Sequence, residues 1–476
     1  MNLVPTVSRR LRRVAWSVAV VAVAITAAVV VSPSGGRTIE AATDGFAGAG
    51  GEFHAVAPDR IFSTREAPPL DVEPLGPKPS GPASDPVEFQ VPLLGVGDIP
   101  ADDVLAVAAN ITIAGPTERG HVRAYPTGST PTVTSIANFK AGQTVANSVI
   151  LRPGDDGTVT LRLVTQQPGI AHVLIDVSGF WSADGFPSRG ARVKTVDPFR
   201  VYNTGDLGGT LNGPETATIP IRGVGPVPDL DSVIGVIVNV TGDNTYGGSR
   251  QTRFSVVPDA FDQSDPDDWP STSNLNLARG QRRANSAVVP IGDDGSIRLF
   301  APFGEVRGIV DITGYLQLAD EGDSSRAGRV VPLVAPFRSL NTRLDDFYDQ
   351  PLGPASAEAW SFDAFVNDVK VGGEWVGPQQ GLFGNLTAVD LARQYSWVSV
   401  TSFLAAYPAG AAGDGECKPV PKVSNVNLVE NEAVPNLALL RYGGDNETPH
   451  RLCIFNRGGY VDYILDVYAV VLDDEA

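Results

Sequence analysis

The chain has little of what most catalytic or metal-binding sites require. Four histidines occur in 476 residues, His54, His121, His172 and His450, and their spacing forms no metal-ligand set. There is no Gly-x-Ser-x-Gly elbow and no phosphate-binding glycine loop, so neither hydrolase nor nucleotide chemistry has a motif to rest on. Adjacent carboxylates such as Asp102-Asp103 and Asp345-Asp346 do not by themselves define a glycosidase pair. The residues point away from an enzyme. Cysteine is reduced to two, Cys417 and Cys453, whose separation excludes a Cys-x-x-Cys redox motif. In an exported chain such a pair most simply closes one disulfide. Sustained helical periodicity with caps at both ends is absent, and 51 glycines and 38 prolines argue against long helices in the body of the protein.

Basic charge is scarce as well. The chain carries 36 basic against 54 acidic residues. Residues 1–44 hold five of the arginines and two of the acids, so the remainder has a formal charge of about −21. That sign excludes a nucleic-acid partner, whose phosphates call for the opposite charge.

What is present is repetition. Pro58-Asp-Arg60-Ile-Phe-Ser-Thr64 returns as Pro198-Phe-Arg200-Val-Tyr-Asn-Thr204 and as Pro336-Phe-Arg338-Ser-Leu-Asn-Thr342. Asn110-Ile-Thr112, Asn239-Val-Thr241 and Asn385-Leu-Thr387 follow in step. Asn138, Asn276 and Asn427 come next, each with a second asparagine nine residues on: Asn147, Asn285 and Asn436. Each copy closes on an apolar strand holding one aspartate, Asp176, Asp311 or Asp466. A period of this length marks three copies of one domain. A residue type found in all three copies is needed to build the fold; one found in a single copy is free to carry that copy's own work.

Residues 1–44 read as an address. Arg9, Arg10, Arg12 and Arg13 precede an uncharged run over 14–31, the pattern of a secretory signal peptide or of an uncleaved membrane anchor. Both readings place the rest outside the cytoplasmic membrane, in extracellular or cell-surface surroundings, with membrane contact through 14–31 if the leader stays. In the first copy, β-branched and alternating runs at 87–91, 104–113, 121–125, 148–151, 158–163 and 172–177 are separated by Gly, Pro and Asp. This predicts an all-β fold of three tandem, jelly-roll-like β-sandwich domains after the N-terminal apolar helix, at 45–185, 190–318 and 330–476. The third bears an aromatic-rich insertion. Gly154-Asp-Asp-Gly157 and Gly292-Asp-Asp-Gly295 suit tight hairpin turns. The polar linkers at 182–189 and 319–329 predict domains free to tilt, hence an extended rod.

The combined pattern resembles a repeat domain of actinobacterial secreted and surface proteins. The features that carry the resemblance are Pro-x-Arg with its threonine, Asn-x-Thr, Tyr407-Pro408, paired asparagines and the closing Asp-Val-x-Gly-aromatic strand. It covers 53–470 and implies a domain found alone or beside cell-wall hydrolases, with no activity defined for the domain itself. That family often carries a cysteine after Tyr-Pro and another before an asparagine. Cys417, and Cys453 ahead of Asn456, stand in those places, which again implies a disulfide. Gly205 departs from the family's arginine after Thr204, and the third copy lacks the final Gly-aromatic pair.

Within the repeats, the recurring charges are expected to pair as Arg60–Asp176, Arg200–Asp311 and Arg338–Asp466, tying first strand to last. A buried carboxylate is costly without a partner, and the guanidinium fork suits it. The Asn-x-Thr asparagines are read as backbone-bonding residues rather than glycan acceptors. No cofactor is expected; the one metal to weigh is calcium, at Asp259, Asp262, Asp265, Asp267 and Asp268, although their spacing matches no EF-hand. In the aromatic-rich stretch Trp360, Phe362, Phe365, Phe383, Trp397, Phe403 and Tyr407 are read mainly as core. Trp375 sits in loop-like sequence and is the residue placed for ligand contact. The function read here is a non-catalytic envelope protein, structural or adhesive. The alternative is a binder of cell-wall polysaccharide or another envelope component, with its site in the third repeat; a wall-polymer hydrolase comes third.

Overall fold

Short runs of Val, Ile, Leu and Phe bounded by turn residues become strands, and the strands wrap the same way three times. The computed structural model describes residues 39–41, 50–65, 75–207, 209–245, 250–344, 351–371, 374–389, 402–410, 416–429 and 431–474. The apolar run 14–31, Asp345-Asp346 and Trp397 lie outside them. No helix among the described residues is long and apolar enough to cross a membrane.

In the first repeat one sheet runs Glu52–Ser63, Gly169–Ser182, Val104–Ala114, Val145–Leu151, all antiparallel. The facing sheet runs Val87–Pro92, Thr158–Thr165, Gly120–Pro126, Ala137–Phe139. The first strand therefore pairs with the last, the second with the seventh and the fourth with the fifth, which is jelly-roll wrapping. The second repeat copies it with Ala191–Asn203, Glu305–Leu318, Val233–Asp243, Arg282–Pro290 opposite Glu215–Pro220, Ser296–Ala301, Thr252–Val257, Leu275–Leu277. The third does so with Val330–Asn341, Asp462–Leu472, Gln379–Val389, Val434–Arg441 opposite Ser356–Ser361, Arg451–Asn456, Phe403–Pro408, Val426–Asn427. The fold is all-β, with three jelly-roll sandwiches in one chain. The Asp-Asp-Gly turns carry the chain from one sheet to the other instead of closing a hairpin within a sheet. Gly157 and Gly295 supply the positive φ that each turn needs.

The third repeat is extended at its edge. The α-helix Asp363–Asp368 buries Phe365 and Val366 and leads into Val369–Val371. That strand pairs antiparallel with Glu374–Trp375 and parallel with Ile39–Ala41, so a piece of the segment read as leader linker joins the third repeat.

The expectation of a rod is corrected. The largest apolar cluster takes residues from every repeat: Phe53 and Trp181 from the first, Ile237 and Leu316 from the second, Phe383 and Leu439 from the third. Trp181 packs edge-on against Phe383 with ring centroids 5.7 Å apart. The linkers are anchored as well. Arg192, only 2 % exposed, reaches Glu52 at 3.2 Å and Asp323 at 2.7 Å, while Arg329 holds Asp184 at 2.9 Å. Their polar composition serves ion pairs rather than flexibility.

Candidate functional site

Each recurring charge sits in register with its partner. Asp176 lies opposite Arg60 on one neighbouring strand and Asn110 on the other. Asp311 stands likewise between Arg200 and Asn239, and Asp466 between Arg338 and Asn385. The contact is bidentate in all three. Nε donates to Oδ1 at 2.8 Å in each case, and Nη2 to Oδ2 at 3.3, 3.1 and 3.0 Å respectively. The aspartates are nearly inaccessible. Burial pushes their carboxyls above the ordinary range, and the arginine's hydrogen bonds and charge pull the other way.

These pairs also reach the next repeat. Arg60 Nη2 donates to the Ser271 carbonyl at 3.0 Å, and the Ser424 N–H approaches Asp311 Oδ2 at 3.4 Å. The asparagines bond backbone, but across repeat boundaries. Asn110 Nδ2 donates to Ser273 O, Asn239 to Ser424 O and Asn385 to Ser135 O, at 2.7, 2.5 and 3.0 Å. The second asparagines complete the circuit. Asn285 donates to Asn110 Oδ1, Asn436 to Asn239 Oδ1 and Asn147 to Asn385 Oδ1, at 2.8, 2.7 and 3.0 Å. Their own oxygens accept from Ser148, Ser286 and Leu437 N–H groups. First joins second, second joins third, third joins first: the three sandwiches form a closed cyclic set. One ion cluster spans all three copies. Glu432 accepts from Arg283 of the second repeat, and from Lys140 Nζ and Gln143 Nε2 of the first at 2.9 and 3.3 Å. Burial alone would raise the Glu432 carboxyl, but these partners outweigh it and hold it below the ordinary range.

The remaining sequence candidates fall elsewhere. Cys417 and Cys453 are disulfide-bonded. Of the aromatics, Trp360, Phe362, Phe365, Phe383 and Tyr407 are buried and Phe403 is half-buried. Trp375 lies in a two-residue edge strand rather than a loop. Its indole N–H donates to the Val366 carbonyl at 3.0 Å, which pins the ring while 49 % of the residue stays exposed. In the acidic loop, Asp262 Oδ1 accepts from Ser264, Asp265 caps the turn Pro266–Asp268, and Asp268 accepts from the Asp262 N–H. No three His, Cys, Asp or Glu side chains converge as a metal site among the described residues. The histidines are apart, beside Ser182 (His54), Arg123 (His121), Thr64 (His172) and Asp363 (His450).

Clefts open where repeats meet, a feature that composition and spacing did not reveal. One of about 450 Å³ lies between first and third, one of 510 Å³ between first and second, and one of 690 Å³ between second and third. Arg282 and Lys422, which line the third of these clefts, stand near recurring asparagines in the sequence, but nothing local says that different repeats bring such positions together.

No protein-family model and no curated protein matches the chain. Among solved structures, the N-terminal CBM22-1–CBM22-2 tandem domain of Paenibacillus barcinonensis Xyn10C is similar at 12 % identity and a TM-score of 0.16, over 56 % of this chain and 98 % of that one. A triple jelly-roll protein of an archaeal virus aligns at 8 % identity and a TM-score of 0.16, over 88 % and 90 %. A Sulfolobus Turreted Icosahedral Virus chain aligns at 8 % and 0.18, over 89 % and 92 %. At these TM-scores the likenesses carry no argument about ligand or activity.

Proposed function

We propose that the protein is an exported, non-catalytic element of the cell envelope with a structural or adhesive role, akin to the actinobacterial surface repeats that its motifs resemble. The observation that carries this reading is the use made of the recurring polar residues. The Arg–Asp pairs and the asparagine sets Asn110/Asn239/Asn385 and Asn147/Asn285/Asn436 are engaged in holding strands and repeats together. The disulfide fits an oxidising compartment. Fractionation of the source cell tests it. The protein belongs in the wall or surface fraction, and purified protein should release no fragments from wall polymer; a cytoplasmic location or measurable turnover would refute the reading.

A second reading, polysaccharide binding through the third repeat, draws on Trp375. A ring pinned at its edge and open on its face is pre-ordered for stacking on a sugar, which reduces the ordering cost of binding. Trp375→Ala in the whole exported chain should weaken binding of wall polysaccharide at least tenfold, about 1.4 kcal/mol. The isolated third repeat is unsuited to this test, because removing Trp181 would uncover Phe383.

A further inference from the structure

We infer that the cleft between the second and third repeats is a binding site for an anionic glycan chain, one bearing carboxylate or phosphate groups. This inference assigns a ligand class to a site separate from Trp375, and rests on the envelope reading only for the source of that ligand. The cleft holds 690 Å³ and is faced by Arg200, Arg282, Arg307, Lys422 and Arg457, with Phe403 on its wall. The carboxylates that face it are Asp206 and Asp243. Arg200 is engaged by Asp311, and Arg282 by Asp243, whose Oδ2 takes the arginine Nε at 2.9 Å. Lys422 and Arg457 are exposed and form no ion pair among the described residues. The lining is thus net cationic in a chain whose formal charge is −18.

Three of these cations stand at positions where the other two copies carry no arginine or lysine, so the shared fold does not call for a cation there. Arg282 stands three residues before Asn285; Thr144 and Ala433 hold that place before Asn147 and Asn436. Lys422 stands two before Ser424, where the other copies have Val133 and Ser271. Arg307 stands four before Asp311, where the others have His172 and Asp462. Three cations from three separate positions, each confined to one copy, meet in one cleft. By contrast, the charged groups facing the cleft between first and second repeats are the acids Asp259, Asp268 and Asp293. Planar guanidinium groups pair with carboxylate or phosphate through two parallel hydrogen bonds, and a half-buried ring beside them offers a face for the sugar. A cleft lined by one sign of charge also concentrates the ligand, an effect that salt weakens.

The test is calorimetric titration of chain 37–476 with four probes: an oligouronate, a glycerol-phosphate oligomer, a neutral glucan and an oligodeoxynucleotide. At low salt the oligouronate or the glycerol-phosphate oligomer should bind, and affinity should fall as sodium chloride is raised. Lys422→Gln combined with Arg457→Gln should weaken that binding at least tenfold with an unchanged melting temperature, since both side chains are exposed. Whether the oligouronate or the glycerol-phosphate binds more tightly identifies the source of the anion. Absence of binding to both the oligouronate and the glycerol-phosphate oligomer, anionic binding unaffected by the double variant, or preference for an oligodeoxynucleotide of equal charge would overturn the inference. Binding of the neutral glucan alone, lost in Trp375→Ala, would overturn it while leaving the second reading above in place.

Discussion

Asn285 of the second repeat donates its side-chain amide to the side-chain oxygen of Asn110 in the first, 2.8 Å away and fully buried. The Asn285 oxygen accepts the N–H of Ser148, also in the first repeat, at 3.0 Å. One side chain therefore satisfies two buried groups across a repeat boundary. Asn285→Ala leaves both without partners. Each such orphan costs about 1–3 kcal/mol, so denaturant unfolding should show a loss of about 2–6 kcal/mol. The same change at exposed Asn446 should be nearly silent.

The Arg–Asp clasp makes a second prediction. Arg60→Ala leaves Asp176 buried without its cation, and the loss in unfolding free energy should be about 3–5 kcal/mol. Arg60 also donates to Ser271, so the variant should loosen the boundary between first and second repeats, read as faster hydrogen exchange around Ser271–Ser273. A change below roughly 0.5 kcal/mol would mark Arg60 as an ordinary surface residue and contradict the clasp.

His121 gives the protein an acid-sensitive spot. Arg123 Nε donates to His121 Nε2 at 3.2 Å, which requires that nitrogen to be unprotonated. Burial first, then the charges of Arg123 and Arg162, lower its pKa from 6.5 to about 4. A base with a depressed folded pKa stabilises the fold above its unfolded value and loses that contribution as pH falls from 6.5 towards 4. The proton-linked loss at pH 4.5 is about 2–3 kcal/mol relative to pH 7. His121→Gln should remove that part of the pH dependence, measured as the wild-type-minus-variant difference in unfolding free energy between the two values.

Much of this architecture was legible in the residues, for physical reasons that also explain what was not. Turn residues between short β-branched runs marked the strands, and a charge such as Asp176 inside Leu-Ile-Asp-Val called for a partner within the same sandwich. The partner of Asn110 was a different matter, because Ser273 belongs to another repeat and is selected by packing that leaves no trace near Asn110. The linkers misled for the same reason: their Asp184, Asp323 and Arg329 read as flexible polar sequence until Arg192 is placed beside Asp323, and Asp184 beside Arg329. A usable signal did exist. Val104–Ala114 is buried at every residue, and Val233–Asp243 and Gln379–Val389 nearly so, with little of the apolar–polar alternation that a solvent-facing sheet would show. Strands of that kind lie in sheets covered on both faces, here by the neighbouring repeats. The loop-like sequence around Trp375 gave no sign of its short edge strand, and the hydrogen bond that fixes its ring depends on the carbonyl of Val366, nine residues earlier.

Three jelly rolls close on one another through a shared core and a cyclic set of asparagine contacts. Small-angle X-ray scattering of chain 37–476 tests this closure most directly. A single compact body of this length has a radius of gyration of about 22 Å. Three sandwiches in a row, each of ordinary domain size and joined end to end, would give roughly 32 Å or more with a profile extended in one direction. A value near 22 Å, rising in Asn285→Ala as the boundary between first and second repeats loosens, is the result expected; a value above 30 Å for the wild-type monomer would contradict the closed assembly.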